Sequence, residues 1–319
     1  MLKRMILKKI TITALTLFIL LLIYLMPTNK INNRNLDVKQ NLEYTYTNDL
    51  ETIYLLDYND YVARTFIKGC SCSSAVDKAS DLLQGLIVEG KKNNIIPNGF
   101  KAIIPSGTRV LALNLDKGVL TIDFSKEILE INKKYEEKML ESLIYTLTSI
   151  NGIDSVKILV EGEELKQLPN SNKQLPSLLD RDYGINKVYN LTGTNNIDSY
   201  TVFYVNEFND NYYYVPVTKY INNDKLDKIK IIIEELTSNP VYESNLMSFL
   251  NVNTKLLDYE IKDDVIKLNF NNLILSDITG NSILEEVIYT ISLSVSNEID
   301  VKEVVFMVEN EEIYKKVLE

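Results

Sequence analysis

Thr108–Leu111 (TRVL) runs into Thr121–Phe124 (TIDF), and this pair of segments decides the fold because it occurs twice. In the second half of the chain, Thr254–Leu257 (TKLL) runs into Lys267–Phe270 (KLNF), in both cases 146 residues later. Solenoid repeats have periods of roughly 20 to 50 residues, so a period this long predicts that each copy is a whole domain.

Two further blocks follow in the same order in both halves. Leu143–Thr146 (LIYT) matches Val287–Thr290 (VIYT) at a spacing of 144 residues, and Val156–Glu164 matches Val304–Glu312 at 148. Four blocks in one order at nearly constant spacing indicate an internal duplication. Two like domains in one chain are more typical of a binding or assembly protein than of a lone catalyst.

Composition excludes several classes of function. The 319 residues are 45% hydrophobic and 24% charged, which are globular values and allow each copy its own core. The net charge of −10 argues against a nucleic-acid partner, because phosphate binding needs clustered Lys and Arg. The chain has no histidine, the usual general base and the commonest metal ligand. We therefore predict a protein that is not an enzyme and has no cofactor, catalytic residue or metal site.

The N-terminus predicts a membrane anchor. Four basic residues among positions 3–9 precede the apolar run Ile10–Met26, which is at the short limit for a span. The basic flank places the N-terminus in the cytoplasm and the rest of the chain outside the cell membrane, crossed once. A cleaved secretory signal is the alternative, but no small-residue cleavage site is obvious around Leu22–Asn29. Residues 1–28 are thus the predicted anchor and residues 29–49 a spacer.

Each copy is predicted to open with a β-hairpin. In the first copy the strands are Thr52–Leu56 and Tyr61–Ile67, and in the second they are Tyr200–Val205 and Tyr212–Tyr220. Pro216 lies inside the last of these strands. Because proline cannot donate to a ladder, we expect that strand to lie at a sheet edge or to be bulged.

A helix, a second hairpin, a second helix and a final strand follow in each copy. Ser73 or Ser74 is expected to cap the first helix of copy one, and Asp224 the first helix of copy two. The second helices are predicted over Glu136–Ile150 and Ser282–Ser296. The remaining predicted strands are Val110–Leu115, Val119–Phe124, Val156–Val160, Leu256–Ile261, Val265–Phe270 and Val304–Val308.

This order predicts an α+β fold. Each copy would be a two-layer β-β-α-β-β-α-β domain, with a mixed or antiparallel sheet and two helices on one face. The first domain is expected over residues 50–168 and the second over residues 200–319. Residues 169–199 lack sustained periodicity and are interpreted as a linker, packed against a domain through Leu178, Leu179 and Tyr183.

Several of these segments resemble a known domain. They are Thr108–Leu115, Gly118–Glu127, Leu143–Thr148 and Val156–Leu165 in the first copy, Tyr212–Tyr220 and Val304–Ile313 in the second, and Arg181–Asn186 between them. Together they resemble the GerMN domain of the GerM family, which acts in bacterial sporulation and spore germination. The match covers nearly everything after about residue 50.

The resemblance implies a tandem pair of membrane-tethered, extracytoplasmic domains whose fold is similar to the ring-building motif of secretion systems. It implies support for the channel complex between mother cell and forespore, and no enzymatic activity. Family members are often lipoproteins, whereas no cysteine directly follows the apolar run of this chain. This chain therefore departs from the lipid anchor that is common in the family.

Cys70 and Cys72 form the most prominent chemical motif. Outside the membrane, paired cysteines can form a disulfide. The alternatives are two ordinary thiols at a helix cap and a pair with a redox or metal-linked role. The second copy has no cysteine at the matching place, which weakens any essential role.

Tyr212, Tyr213, Tyr214 and Tyr220 are the candidate partner-contact residues. Tyrosines on an edge strand suit contacts with protein or glycan. The alternative is that they pack in the core and at its rim.

Carboxylates offer weaker candidates. The acidic turns Glu161–Glu164 and Glu309–Glu312 lack the spacing of a calcium loop and are interpreted as solvated hairpin turns. Asp123 is disfavoured as a catalytic acid because Asn269 stands at the matching place.

Two hypotheses of different classes follow. The first is an assembly or scaffold protein, with the membrane and other sporulation channel proteins as partners and self-assembly into a homo-oligomer left open. The second is a module or sensor at the cell surface that binds peptidoglycan or a small ligand between the domains. A wall hydrolase that uses only carboxylates ranks third, because no carboxylate pair recurs in both copies.

Overall fold

The computed structural model describes residues 50–223, 227–238, 245–277 and 279–318. The predicted anchor and spacer lie outside these ranges. Among the described residues, no helix combines the length and the apolar character that crossing a membrane requires. The predicted cap Asp224 also lies outside them, and the helix that follows is capped by Asp227.

The described residues form four α-helices and fourteen β-strands. The helices are α1 Ala75–Leu86, α2 Glu136–Leu147, α3 Lys228–Thr237 and α4 Glu285–Glu298. The strands of the first half are β1 Leu50–Asp57, β2 Val62–Lys68, β3 Phe100–Lys101, β4 Val110–Asp116, β5 Val119–Phe124, β6 Ser155–Val160 and β7 Glu163–Glu164. Those that follow are β8 Val188–Asn190, β9 Ile197–Phe208, β10 Asn211–Asn222, β11 Leu256–Lys262, β12 Val265–Phe270, β13 Glu303–Val308 and β14 Glu311–Val317. The ten predicted strands and the four helices occur in the predicted order, and the strands β3, β7, β8 and β14 were not predicted.

The α+β class is confirmed, but the single sheet expected in each copy is divided. Each copy keeps a four-stranded mixed sheet, in the order β4-β5-β6-β7 or β11-β12-β13-β14. The pairs β5–β6 and β12–β13 are parallel, because a helix crosses over between their strands. The two opening hairpins, β1–β2 and β9–β10, do not join the four-stranded sheets of their own copies. They pair with each other, and with β3 and β8, in one shared six-stranded sheet.

The helices of the first copy therefore lie between two sheets and not on one face of a single sheet. Helix α1 contacts β1 and β4, and α2 contacts β1 and β6. Alternate residues along β5 and along β12 are apolar, a pattern that predicts one buried face for each strand. Both predicted faces are buried, since no surface is exposed at Leu120, Ile122 and Phe124 of β5 or at Ile266, Leu268 and Phe270 of β12. Ser74 caps α1 as predicted, and its hydroxyl accepts from the Asp77 N–H at 3.0 Å.

The second helices of the two copies, α2 and α4, correspond when their residue numbers differ by 148. The tetrapeptides LIYT and VIYT differ by 144, so the two alignments are four residues apart, which is about one helical turn. Both tetrapeptides lie in these helices, and a shift of four residues keeps nearly the same helix face, so sequence periodicity could not separate the two alignments. Burial decides between them. The buried residues Met139, Leu140, Leu143 and Leu147 of α2 correspond to Val287, Ile288, Ile291 and Val295 of α4.

The same alignment places equivalent hydroxyls over β1 and β9 of the shared sheet, at positions that no strand pairs on that side. The Tyr54 N–H of β1 donates to Thr146 Oγ1 at 2.9 Å, and the Phe203 N–H of β9 donates to Ser294 Oγ at 2.8 Å. Ser142 Oγ also donates to the Tyr54 carbonyl at 2.6 Å. Helix side chains thus satisfy backbone groups that an outer strand would otherwise leave without partners.

Strand β10 is an interior strand, so the prediction that Pro216 marks an edge or a bulge is wrong. The strand pairs with β9 without a register shift, and on its other side it meets β2 at Tyr214 and β8 at Lys219–Ile221. Pro216 lies in the interval between these two neighbours. Its missing N–H therefore removes no ladder bond.

Asn186 fills this interval. Its Oδ1 accepts from the Val62 N–H at 3.0 Å, and its Nδ2 donates to the carbonyls of Val62 at 2.8 Å and Pro216 at 2.7 Å. The Asn186 N–H donates in turn to Glu141 Oε2 at 3.0 Å. Residues 169–199, interpreted as a linker, thus carry both a strand of the shared sheet and a side chain that joins the two hairpins.

Packing of the same segment agrees with the prediction in part. Leu179 is buried and forms an isolated bridge with Val156 of β6, and Tyr183 packs against the first core. Leu178 is 45% exposed and does not take part.

Asn186→Ala is expected to lower the free energy of unfolding by about 3 kcal/mol, because three buried backbone groups lose their partner. Denaturant unfolding measures the change. Asn186 has a positive φ of 45°, so Asn186→Gly separates the loss of the amide from backbone strain. Asn190→Ala, at an exposed position on β8, is the control and should cost less than about 0.5 kcal/mol. Equal stability of the Gly variant and the parent would contradict the joining role of Asn186.

Thr146→Val and Ser294→Ala are each expected to lower the free energy of unfolding by about 2 kcal/mol, because each leaves a buried N–H without an acceptor. The sites lie in different copies, so the double variant should lose about the sum. Ser296→Ala is the control, since the Ser296 hydroxyl bonds to the Leu293 carbonyl of its own helix. Chemical denaturation of the two single variants, the double variant and the control measures these changes. An unchanged free energy of unfolding in Ser294→Ala would refute the alignment at 148 residues.

Candidate functional site

Two outer strands, β4 and β11, present uncovered sheet edges. Each pairs on one side only, with β5 or with β12. Among the described residues, no strand or helix hydrogen-bonds the other side of their backbones. They begin at Val110 and Leu256, which are the same place in the two copies. Unpaired N–H and C=O groups on such an edge can bind an added strand.

Both edges carry a β-bulge at the same place. The register shifts between Val110 and Ala112 on β4, and between Leu256 and Asp258 on β11. The residues at the shifts, Leu111 and Leu257, are 46% and 49% exposed. Bulges re-aim side chains at sheet edges, so each edge displays one leucine. Sequence reasoning missed this pair, although the repeated leucine in TRVL and TKLL was its signal.

The four candidate tyrosines do not share one surface. Tyr212 is 48% exposed, and its ring packs edge-on to Phe249 at 5.4 Å. Tyr214 stacks on Tyr289 with ring centroids 5.5 Å apart. The structure therefore leaves Tyr212 as the candidate that faces solvent, and a partner contact there stays a prediction.

The other two tyrosines hold the fold together. Tyr220 stacks on Tyr189 at 4.9 Å. Tyr213 is buried, and its hydroxyl donates to Asp57 Oδ2 at 2.8 Å. Burial and the neighbouring Asp57 carboxylate raise the pKa of Tyr213, so this phenol stays protonated and keeps donating.

Asp57 is a buried carboxylate that sequence reasoning did not single out. Its Oδ1 accepts from the N–H groups of Asn59 at 2.9 Å and Tyr61 at 2.8 Å, which closes the first hairpin turn. Its Oδ2 accepts from Tyr213 and from Asn206 Nδ2 at 3.1 Å, both in the second copy. Asp57 therefore ties the turn of one hairpin to the strands of the other.

A cavity of about 530 Å³ opens beside the N-terminal half of α2. Its wall is rich in charge, and Lys187 crosses it to Glu141 Oε1 at 3.0 Å and Glu137 Oε2 at 3.3 Å. Tyr61 and Tyr189 supply aromatic surface. The other lining residues are Lys133, Lys134, Glu136, Lys138, Ser171, Asn186 and Val188.

Cys70 and Cys72 are joined by a disulfide in the loop between β2 and α1, with Cα atoms 5.1 Å apart. The motif lies in the first copy alone, so it is not a feature of the repeated fold.

The acidic turns and Asp123 have structural roles. Asp123 Oδ1 accepts from the Gly162 N–H at 2.9 Å, and Asn269 Oδ1 accepts from the Asn310 N–H at 3.0 Å. An acid and an amide both supply the acceptor oxygen here, and Asn269 Nδ2 also donates to Asn310 Oδ1 at 2.9 Å. Within the described ranges, no three cysteine or carboxylate side chains stand close enough to hold a metal ion together.

Comparison with known proteins identifies the fold and the family. The family model described as "Sporulation and spore germination" matches residues 52–166 and again residues 201–314. The chain is 36% identical over 263 residues to the spore germination protein GerM of Bacillus subtilis (strain 168), which covers 80% of this chain and 70% of that protein.

Solved structures agree. The tandem GerMN domains of the sporulation protein GerM from Bacillus subtilis match with a TM-score of 0.74 and 34% identity, over 82% of this chain and 91% of that one. The first GerMN domain of the same protein matches over 42% of this chain and 98% of that one, with 33% identity and a TM-score of 0.39. This chain therefore belongs to the sporulation and spore germination family with tandem GerMN domains.

Proposed function

We propose that the protein is a non-enzymatic assembly element of sporulation, held by its N-terminal segment on the outer side of the cell membrane. There it supports the channel complex between mother cell and forespore. Family membership supports the sporulation context. The apolar run Ile10–Met26 with its basic flank supports the anchor and the orientation.

The observation that carries the assembly role is the pair of uncovered edges on one body. Strands β1 and β9 of the shared sheet are covered by side chains of α2 and α4, whereas β4 and β11 are not. An edge that is left open in both copies can accept a strand from a partner in each. Two equivalent edges on one body suit a scaffold, because each can engage a separate partner or neighbouring copy.

Leu111 and Leu257 supply the apolar part of such a contact. Main-chain hydrogen bonds along an added strand are not specific, so specificity has to come from side chains beside the edge. Because these leucines are already about half buried, complete burial on binding contributes about 1 kcal/mol each. The edges would therefore bind partners that present an extended segment with an apolar residue opposite the bulge.

Leu111→Asp and Leu257→Asp are each expected to reduce the capture of partner proteins in sporulating cells. The double variant is expected to abolish it. The side chains are exposed, so the melting temperature should change little. The measurement is crosslinking in the cells with a photoreactive residue at position 114 or 260 of the edges, followed by identification of the attached proteins.

The matched control is Leu178→Asp, which changes a leucine of similar exposure, 45%, away from both edges. The control should crosslink and sporulate as the parent does. Sporulation and crosslinking that survive in the Leu111→Asp, Leu257→Asp double variant would remove the edges as the assembly surface.

Binding of peptidoglycan or of a small ligand is the second candidate function, and the cavity beside α2 favours it. Sedimentation with purified peptidoglycan tests this role directly. This candidate function would be supported if peptidoglycan binding is saturable, is reduced in Tyr189→Ala and is unchanged in Tyr212→Ala. Absence of sedimentation of the parent protein would remove it.

A further inference from the structure

The cavity beside α2 contains an ammonium group that lacks a hydrogen-bond acceptor among the described residues. Lys138 lines the wall, and its Nζ makes no hydrogen bond or ion pair within 4.0 Å to any residue that the structure describes. Its aromatic neighbour is Tyr61, with the ring centroid 6.0 Å away. The three N–H donors of Lys138 therefore have no acceptor in the part of the chain that the structure describes.

The carboxylates that face Lys138 are already engaged elsewhere. Glu141 accepts from the Asn186 N–H and from Lys187, and Asp60 accepts from Lys101, Lys134 and Tyr135.

Asp57, the third of these carboxylates, is held by its four donors in the seam between the hairpins. Lys134 is the cation that faces Lys138, and it pairs with Asp60. Partial burial lowers the pKa of Lys138, because the cavity wall removes water from the ammonium.

We propose that the cavity binds a single carboxylate group of a peptide or an amino-acid derivative, with Lys138 as its counter-ion. The volume of about 530 Å³ lies in the range of small-ligand sites. The unpaired ammonium supplies a charge-assisted hydrogen bond, which is stronger than a neutral one.

The charge of the wall favours a monoanion. Four lysines and three glutamates line the cavity, so the wall carries about one net positive charge and balances a carboxylate better than a dianionic phosphate. A divalent cation is disfavoured by the four lysines in the same wall. A carboxylate carries one negative charge, which the ammonium of Lys138 can balance.

Two tyrosines receive the body of the ligand. Tyr189 is 58% exposed and is held in place by its stacking on Tyr220, so it offers a fixed aromatic face. Burial and the neighbouring Asp57 raise the pKa of Tyr61, so its hydroxyl remains a hydrogen-bond donor at neutral pH. An amide or methyl group beside the carboxylate would pack against these rings.

The test is equilibrium dialysis of the full-length chain with labelled N-acetylalanine as the probe, at constant ionic strength. We expect saturable binding that Lys138→Met weakens at least about tenfold, which is the loss of one charge-assisted hydrogen bond. Lys255→Met changes an exposed lysine of the second copy and should leave binding unchanged. Inorganic phosphate should compete poorly with the probe.

Per-lysine acetylation, read by mass spectrometry, locates the probe. N-acetylalanine should protect Lys138 and leave Lys255 unprotected. Thermal unfolding then separates a binding role from a structural one. Because Lys138 has no partner to lose, Lys138→Met should unfold at the same temperature as the parent or higher.

Four outcomes would overturn the proposal. They are no saturable binding to the parent, equal binding to Lys138→Met, tighter binding of phosphate than of N-acetylalanine, and a lower unfolding temperature for Lys138→Met. The proposal is independent of the assembly role, because these measurements use purified protein and do not involve β4 or β11.

Discussion

Two β-hairpins from distant parts of the chain close on one another through buried polar side chains, and the rest of the structure depends on this joint. The ladder between β2 and β10 contains one matched pair, Arg64 with Tyr214. The joint therefore relies on Asp57 and Asn186, which together engage backbone and side-chain groups of both copies. A buried polar group without its partner costs about 1 to 3 kcal/mol, so the loss of either side chain is expected to destabilise the joint.

The joint also unites the cores. Phe203 of β9 packs in the core of the first copy, and Ala63 of β2 packs in the core of the second. Residues 49–319 accordingly form one compact unit, although the sequence repeats as two. A duplicated chain has in this way become a single body that carries two equivalent four-stranded sheets.

The division of strands among three sheets decides which surfaces remain available for binding. Once the hairpins are taken into the shared sheet, helix hydroxyls bond to the backbones of β1 and β9, and β4 and β11 are left as uncovered edges. The chain between the copies follows the same joint: Asn186 enters the seam, and Lys187 and Tyr189 next to it complete the wall of the cavity beside α2. The open edges and the charged cavity are thus both consequences of how the hairpins meet.

The sequence by itself determined the duplication, the order of strands and helices, the buried faces of β5 and β12, the Ser74 cap and the family, because these follow from local periodicity and from repeated segments. Tertiary structure decided the rest. It showed that β10 is an interior strand and that the helices α2 and α4 align one turn away from the match of their tetrapeptides. It also brought Asp57, Asn186 and Lys138 to their sites. These features depend on pairing between residues that are 30 to 156 positions apart, and neither the period nor the composition of a segment records which distant partner will satisfy its buried polar groups.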